Sequence, residues 1–200
     1  MRKASLLLLL LGFSLAGFSL AILIPAFAET PPAAPKIDND FVQRQFGKEF
    51  TILPEIAPVF GDLDGDGVED VVIAARCKNP MLDQGDHDYK VIDPFYEFFG
   101  YGDPRMTTTA AFSDADPLRR GLVVLIIDGA GPDGWRSAHP KAKYVVVNLP
   151  YRTLTVRKMK MRKKTIEAIY IEEAGDTGDA SALVFDGRKF RYVPMGADMQ

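Results

Sequence analysis

Asp62, Asp64, Asp66 and Asp70 place four carboxylates within nine residues, with glycines at 65 and 67. Like charges this close repel one another unless a cation lies among them. Counted from Asp62, side-chain oxygens stand at positions 1, 3 and 5, and a glycine fit for a sharp turn stands at position 6. Hard oxygen donors in that order are what a calcium loop requires. Val68 would add its backbone carbonyl at position 7, and Asp70 would close the shell at position 9, directly or through water. Calcium is therefore the expected ion. Magnesium keeps its waters and demands a stricter geometry, so a flexible, protein-rich loop suits it less. The expected dissociation constant is on the order of 10⁻⁴ to 10⁻³ M, the range of extracellular modules. A solvated acidic turn also uses Asp and Gly, but it does not need four aspartates at this spacing.

An EF-hand would carry a bidentate Glu at position 12 of the loop. Ile73 occupies that position, inside an apolar run, so a helix-loop-helix calcium site is excluded. The loop instead leads into a strand. Phe60-Gly61-Asp62-x-Asp64-Gly65-Asp66-Gly67-x-x-Asp70, followed by Val-Val-Ile-Ala, is similar to the calcium loop of FG-GAP repeats and the related VCBS repeats. Such repeats occur in integrin-type propellers and in many exported bacterial proteins. The resemblance covers about 15 residues and implies ligand roles for Asp62, Asp64, Asp66, Val68 and Asp70. Only one copy is present, so neither a propeller nor an adhesion role carries over; a propeller needs several units to bury its core. The later layout, an apolar strand at 121–127 and a terminal hairpin at 183–192, also resembles small exported bacterial proteins of unknown function with one such motif.

The elements that must position this loop follow from periodicity. Asp38-Asn39-Asp40 is expected to cap a short helix over 41–46, ended by Gly47. Residues 50–53 read as a strand stopped by Pro54, and 68–75 as a strand buried on both faces. Residues 78–117 lose periodicity in Gly, Pro, Asp and aromatics, with one helical turn or two after Pro94. Strands are expected at 122–127, 144–149, 153–161 and 165–172, and at 182–185 and 188–193 around Asp186-Gly187, a strong hairpin signal. About eight strands and two or three short helices give an α+β, antiparallel β-rich single domain that is not a full propeller.

Other constellations compete for function. Asp83, Asp86, His87 and Asp88 put an imidazole among acids, which reads as a zinc or general-base site or else as a polar loop tip; Asp86, His87 or Asp88 near Arg105 would serve a hydrolase with its site in the 78–117 loop. His139 precedes Pro140 and reads as a surface loop residue. The 128–135 turn, Asp-Gly-Ala-Gly-Pro-Asp-Gly-Trp, lacks the glycine spacing of a dinucleotide site and reads as a tight turn with a half-buried or exposed Trp135. Phe95, Tyr96, Phe98, Phe99 and Tyr101 would either pack in the core or dock another exported protein. Arg152, Arg157, Lys158, Lys160, Arg162, Lys163 and Lys164 would either meet an anionic glycan, lipid or protein partner, or form the solvated face of a half-buried strand.

Arg2 and Lys3 precede an apolar run over 4–24, and Ala26-Phe27-Ala28 supplies a cleavage pattern, so residues 1–28 read as a signal peptide. The run is long enough that an uncleaved anchor is the alternative. A Pro-rich leader at 29–36 and a domain at 37–200 follow, with a periplasmic or extracellular destination and no membrane contact after cleavage. The chain holds 24 basic and 27 acidic residues; without Arg2 and Lys3 the balance is 22 against 27, a net charge near −5. That charge argues against nucleic acid as a partner. Cys77 is the sole cysteine, so no internal disulfide staples the domain and a bound ion could do so instead. No complete nucleophile–base arrangement marks the chain as an enzyme.

Overall fold

Two runs of consecutive apolar residues, with no polar face to offer water, must be buried on both sides, and they form the centre of the fold. The computed structural model describes residues 35–100, 120–149, 151–161, 164–173 and 180–196. The expected signal peptide, Arg105, Tyr101 and the Arg162-Lys163 pair lie outside them, as does most of the Pro-rich leader.

A six-stranded sheet is built from β1 (Phe50–Ile52), β2 (Val59–Gly61), β3 (Asp70–Cys77), β4 (Lys90–Ile92), β5 (Leu122–Asp128) and β6 (Ala142–Val146), in the order β1-β3-β5-β6-β4. β1 pairs with residues 75–77 of β3 and β2 with residues 70–72, both antiparallel, so the two short strands share one edge of β3. Every pairing is antiparallel except that of β4 with β6. A second sheet is an antiparallel meander of β7 (Tyr151–Met161), β8 (Lys164–Glu173), β9 (Ala180–Phe185) and β10 (Phe190–Met195). The β9–β10 hairpin turns at Asp186-Gly187 as the sequence implies, with the Asp186 side chain accepting the amides of Arg188 and Lys189.

Alternate residues of β3 and β5 explain the layering. Val72, Ala74, Val124 and Ile126 face the second sheet and meet Leu154, Ile169, Ile171 and Leu183. Val71, Ile73, Leu125 and Ile127 face the opposite way and are covered by Phe41, Val42 and Phe46 of the helix α1 (Asn39–Phe46), with Phe50, Tyr89 and Trp135. Leu125, Ile126 and Ile127 are all 0% exposed, which accounts for the absence of any polar alternation in β5. The layers are therefore helix, sheet and sheet. Tyr151 ties the sheets together: its hydroxyl donates to the Val123 carbonyl at 2.8 Å and accepts the Ala75 amide at 3.1 Å.

α1 forms where expected. Asp38 accepts the Phe41 amide at 3.0 Å as its N-cap, and Gly47 ends the helix with φ of 103°. Lys143 of β6 donates to the Gln45 carbonyl at 2.8 Å, satisfying one of the orphan acceptors at the helix end. Residues 78–100 are more ordered than the expected loop: they hold α2 (Gln84–His87), β4 and α3 (Pro94–Phe98). With a 3₁₀ helix at Gly131–Arg136 there are three short α-helices, ten strands in two open sheets, and no closed barrel among the described residues. The domain is α+β and rich in antiparallel strands, as the sequence implies.

Candidate metal centre

The acidic loop is the connection of a hairpin. β2 ends at Gly61 and β3 begins at Asp70, and these two residues face one another in the ladder. Val68 and Glu69 are not part of the strand, which starts two residues later than their β-branched and acidic run implies. The backbone must reverse within the residues between, and it does so with Gly65 at φ of 81° and Gly67 at φ of 84°, the left-handed region that only glycine enters freely. Leu63 points the other way, is 4% exposed, and plugs the loop into the core between the sheets.

The loop's own amides wrap its aspartates. Asp62 accepts from Gly65 at 2.8 Å and Asp66 at 2.9 Å through Oδ1, and from Gly67 at 2.9 Å through Oδ2. Asp64 Oδ1 accepts the Asp66 amide, and Asp66 Oδ1 accepts the Val68 amide at 2.8 Å. From outside the loop, Glu167 of β8 accepts the Asp62 amide at 2.8 Å and anchors its start to the second sheet.

Asp70 is 1% exposed and accepts two backbone amides: Leu63 at 2.8 Å through Oδ2 and Gly129 at 2.8 Å through Oδ1. It therefore joins the two ends of the loop to the turn after β5. A close approach makes this possible. A Cβ on Gly129 would stand 2.4 Å from the Glu69 carbonyl oxygen, so only glycine allows the turn to lie against the loop. Burial pushes the Asp70 carboxyl up to about 6, against the pull of its two amide donors, and the charges of Asp64 and Asp62 push the same way.

Asp62, Asp64 and Asp70 each present a ligand oxygen such that all three lie within 4.8 Å of one another. The side chains thus converge rather than splay. Asp66 stands at the rim and meets a cation the linear pattern does not reveal. Lys141 donates from Nζ to Asp64 Oδ2 at 2.7 Å and to Asp66, and lies 3.8 Å from Asp128 Oδ1. These contacts hold the Asp66 carboxyl below its usual range, the Lys141 hydrogen bond being the largest influence. Asp128, at the end of β5, is 9% exposed, and among the described residues its Oδ1 has no hydrogen-bond partner. Burial pushes its carboxyl up to about 7, aided by the charges of Asp70 and Asp64.

Five carboxylates against one ammonium leave the cluster net acidic even if Asp70 and Asp128 hold protons. Its donors are all hard oxygens, which fits calcium and argues against a thiolate- or imidazole-seeking metal. Among the described residues this is the one group of three or more acids, histidines or cysteines spaced for a metal ion.

The competing constellations do not converge in the same way. His87 is half-buried in α2, whose Asp86 is exposed, and among the described residues no metal-spaced group includes it. His139 is exposed in a loop held by Ser137. Phe95 packs edge-on against Tyr192, whereas Phe98 and Phe99 are 49% and 54% exposed. Arg152 pairs with Glu172 and Arg157 lies over the Tyr170 ring, as a strand's charged face would have it, yet Met159 on that face is buried with Ala168 and Val184. Trp135 departs from its expected exposure and is 3% exposed. Its indole N–H donates to Glu69 at 2.9 Å, and its ring packs edge-on against Phe41 and tilted against Phe60, so the polar and apolar parts both have partners.

Cys77 is buried at the end of β3, and burial pushes its thiol up to about 12, helped by Glu49 and Asp83. A thiol-reactive disulfide reagent is expected to leave the folded protein unlabelled and to modify it fully in denaturant; rapid labelling without denaturant would contradict this environment.

No protein-family model, curated protein or solved structure matches this chain.

Proposed function

We propose that the chain is an exported calcium-binding domain in which one calcium ion holds the 61–70 loop, in a binding or structural role rather than a catalytic one. The observation that carries this reading is the convergence of Asp62, Asp64 and Asp70 oxygens on one point of a glycine-turned loop. Asp66 and the Val68 carbonyl complete the donor set by their position in the loop. The resemblance of residues 60–74 to FG-GAP and VCBS calcium loops points to the same ligands.

Calcium here would neutralise acids that otherwise repel, and so order the β2–β3 connection against the turn after β5. A shell of four carboxylates and one backbone carbonyl leaves little need for an open coordination position, which is why a structural role is favoured over hydrolysis. Calorimetric titration of calcium into the purified protein is expected to give saturable one-to-one binding, and Asp64→Ala is expected to abolish it. Equal heats from the two proteins would end the proposal.

A further inference from the structure

We infer that Lys141 is a tethered counter-cation for the acidic loop, that a divalent ion enters by displacing it, and that Asp128 joins the carboxylates so released. This rests on the calcium reading of the same loop and adds how occupancy is regulated.

The Lys141 backbone is fixed independently of its side chain. It directly precedes β6, donates its amide to the Asp128 carbonyl at 3.0 Å, and adjoins the Asp128–Ala142 register of the β5–β6 ladder. From that anchor the side chain reaches the loop 75 residues earlier in sequence. It does not contact the oxygens that the loop amides already hold on Asp64 and Asp66. It takes Oδ2 of each, the oxygens left over for an ion. An ammonium and a divalent ion cannot share those oxygens without direct repulsion. Competition is therefore built into the geometry.

Two further facts make the exchange feasible. The Lys141 side chain is 37% exposed, so its flexible stem can swing toward solvent when released. Among the described residues Asp128 Oδ1 is buried with no hydrogen bond, and the same ammonium stands 3.8 Å away, beyond hydrogen-bonding reach. A buried acceptor without a donor is a costly arrangement, and an ion held by Asp62, Asp64 and Asp70 would give Asp128 the positive partner that it lacks. A monovalent tether gives the empty loop a partial partner. The apparent affinity for calcium is then lowered by the fraction of molecules in which Lys141 occupies the site.

The test uses Lys141→Met and Lys141→Gln, which remove the charge and keep much of the stem, and Lys141→Arg, which keeps the charge. With the ion pairs to Asp64, Asp66 and Asp128 lost, calcium affinity is expected to rise about three- to tenfold in the neutral variants, while the chelator-treated proteins melt below wild type and Lys141→Arg stays near wild type in both measurements. Opposite signs for affinity and apo stability are what a merely structural lysine would not give. In the wild-type protein, acetylation of Lys141 followed by mass spectrometry is expected to accelerate when calcium saturates the loop. If wild type binds calcium but the neutral variants bind it equally or more weakly, or if calcium protects Lys141, displacement is wrong and the calcium site stands. If neither wild type nor variant binds calcium, both fall.

Discussion

Replacing Asp70 by alanine is expected to cost about 2–5 kcal/mol of folding stability, measured by denaturant unfolding in the presence of chelator. The figure follows from two buried backbone amides, those of Leu63 and Gly129, each left without an acceptor at about 1–3 kcal/mol. The loop and the β5 turn have little freedom to collapse onto the gap, because Gly129 already lies against the Glu69 backbone. Asp70→Asn retains one carbonyl oxygen and should lose roughly half as much. Chelator isolates this structural role from any ligand role. If the alanine variant unfolds at the wild-type midpoint without metal, Asp70 is not the clasp between loop and turn, and the proposed site loses its support.

Calcium is expected to raise the stability of the wild-type protein by about 2.7 kcal/mol at a hundred times its dissociation constant, through binding to the folded chain alone. For a domain of this size that corresponds to roughly 5–10 °C in melting midpoint. Potassium at equal ionic strength should leave the midpoint near that of the chelated protein, which separates coordination from general screening of the acids. Asp64→Ala should flatten the calcium dependence and, in chelator, melt modestly below wild type, since it removes the Oδ2 that accepts from Lys141. A midpoint unmoved by calcium at about 10–100 mM, a hundred times the expected dissociation constant, would count decisively against the ion.

Much of this organisation is legible in the chain because local chemistry and burial agree. β3 and β5 declare themselves as uninterrupted apolar runs, and both lie between two layers. The Asp38 cap, the Gly47 stop and the Asp186-Gly187 turn each act through neighbours in sequence, so their signals are local. β2 and β4 escape such reading: at three residues each they carry no periodicity, and only edge pairing with β3 and β6 defines them. Trp135 sits in a Gly-rich turn that suggests exposure, and a partner distant in sequence, Glu69, pulls it inside.

The candidate site divides along the same line. Its aspartates and glycines announce themselves by spacing, whereas Lys141, Asp128 and Glu167 arrive through the β5–β6 pairing and the second sheet. Asp128 was visible as the end of an apolar strand before a glycine, but nothing in the linear pattern aims it at residue 64. The premise that so dense an acidic loop needs a divalent ion is also refined: among the described residues the fold itself brings one ammonium, Lys141, to these acids.

Trp135 is the only tryptophan of the chain, and it is bound at both its amide and its indole nitrogen to Glu69, the residue that ends the acidic loop. Arg136 grips the same carboxylate and covers the indole face. Any tightening or loosening of that loop must therefore reach a single chromophore in a fixed setting. The protein thus carries an optical gauge of its own, and its emission spectrum is expected to follow the loop without a dye or a label.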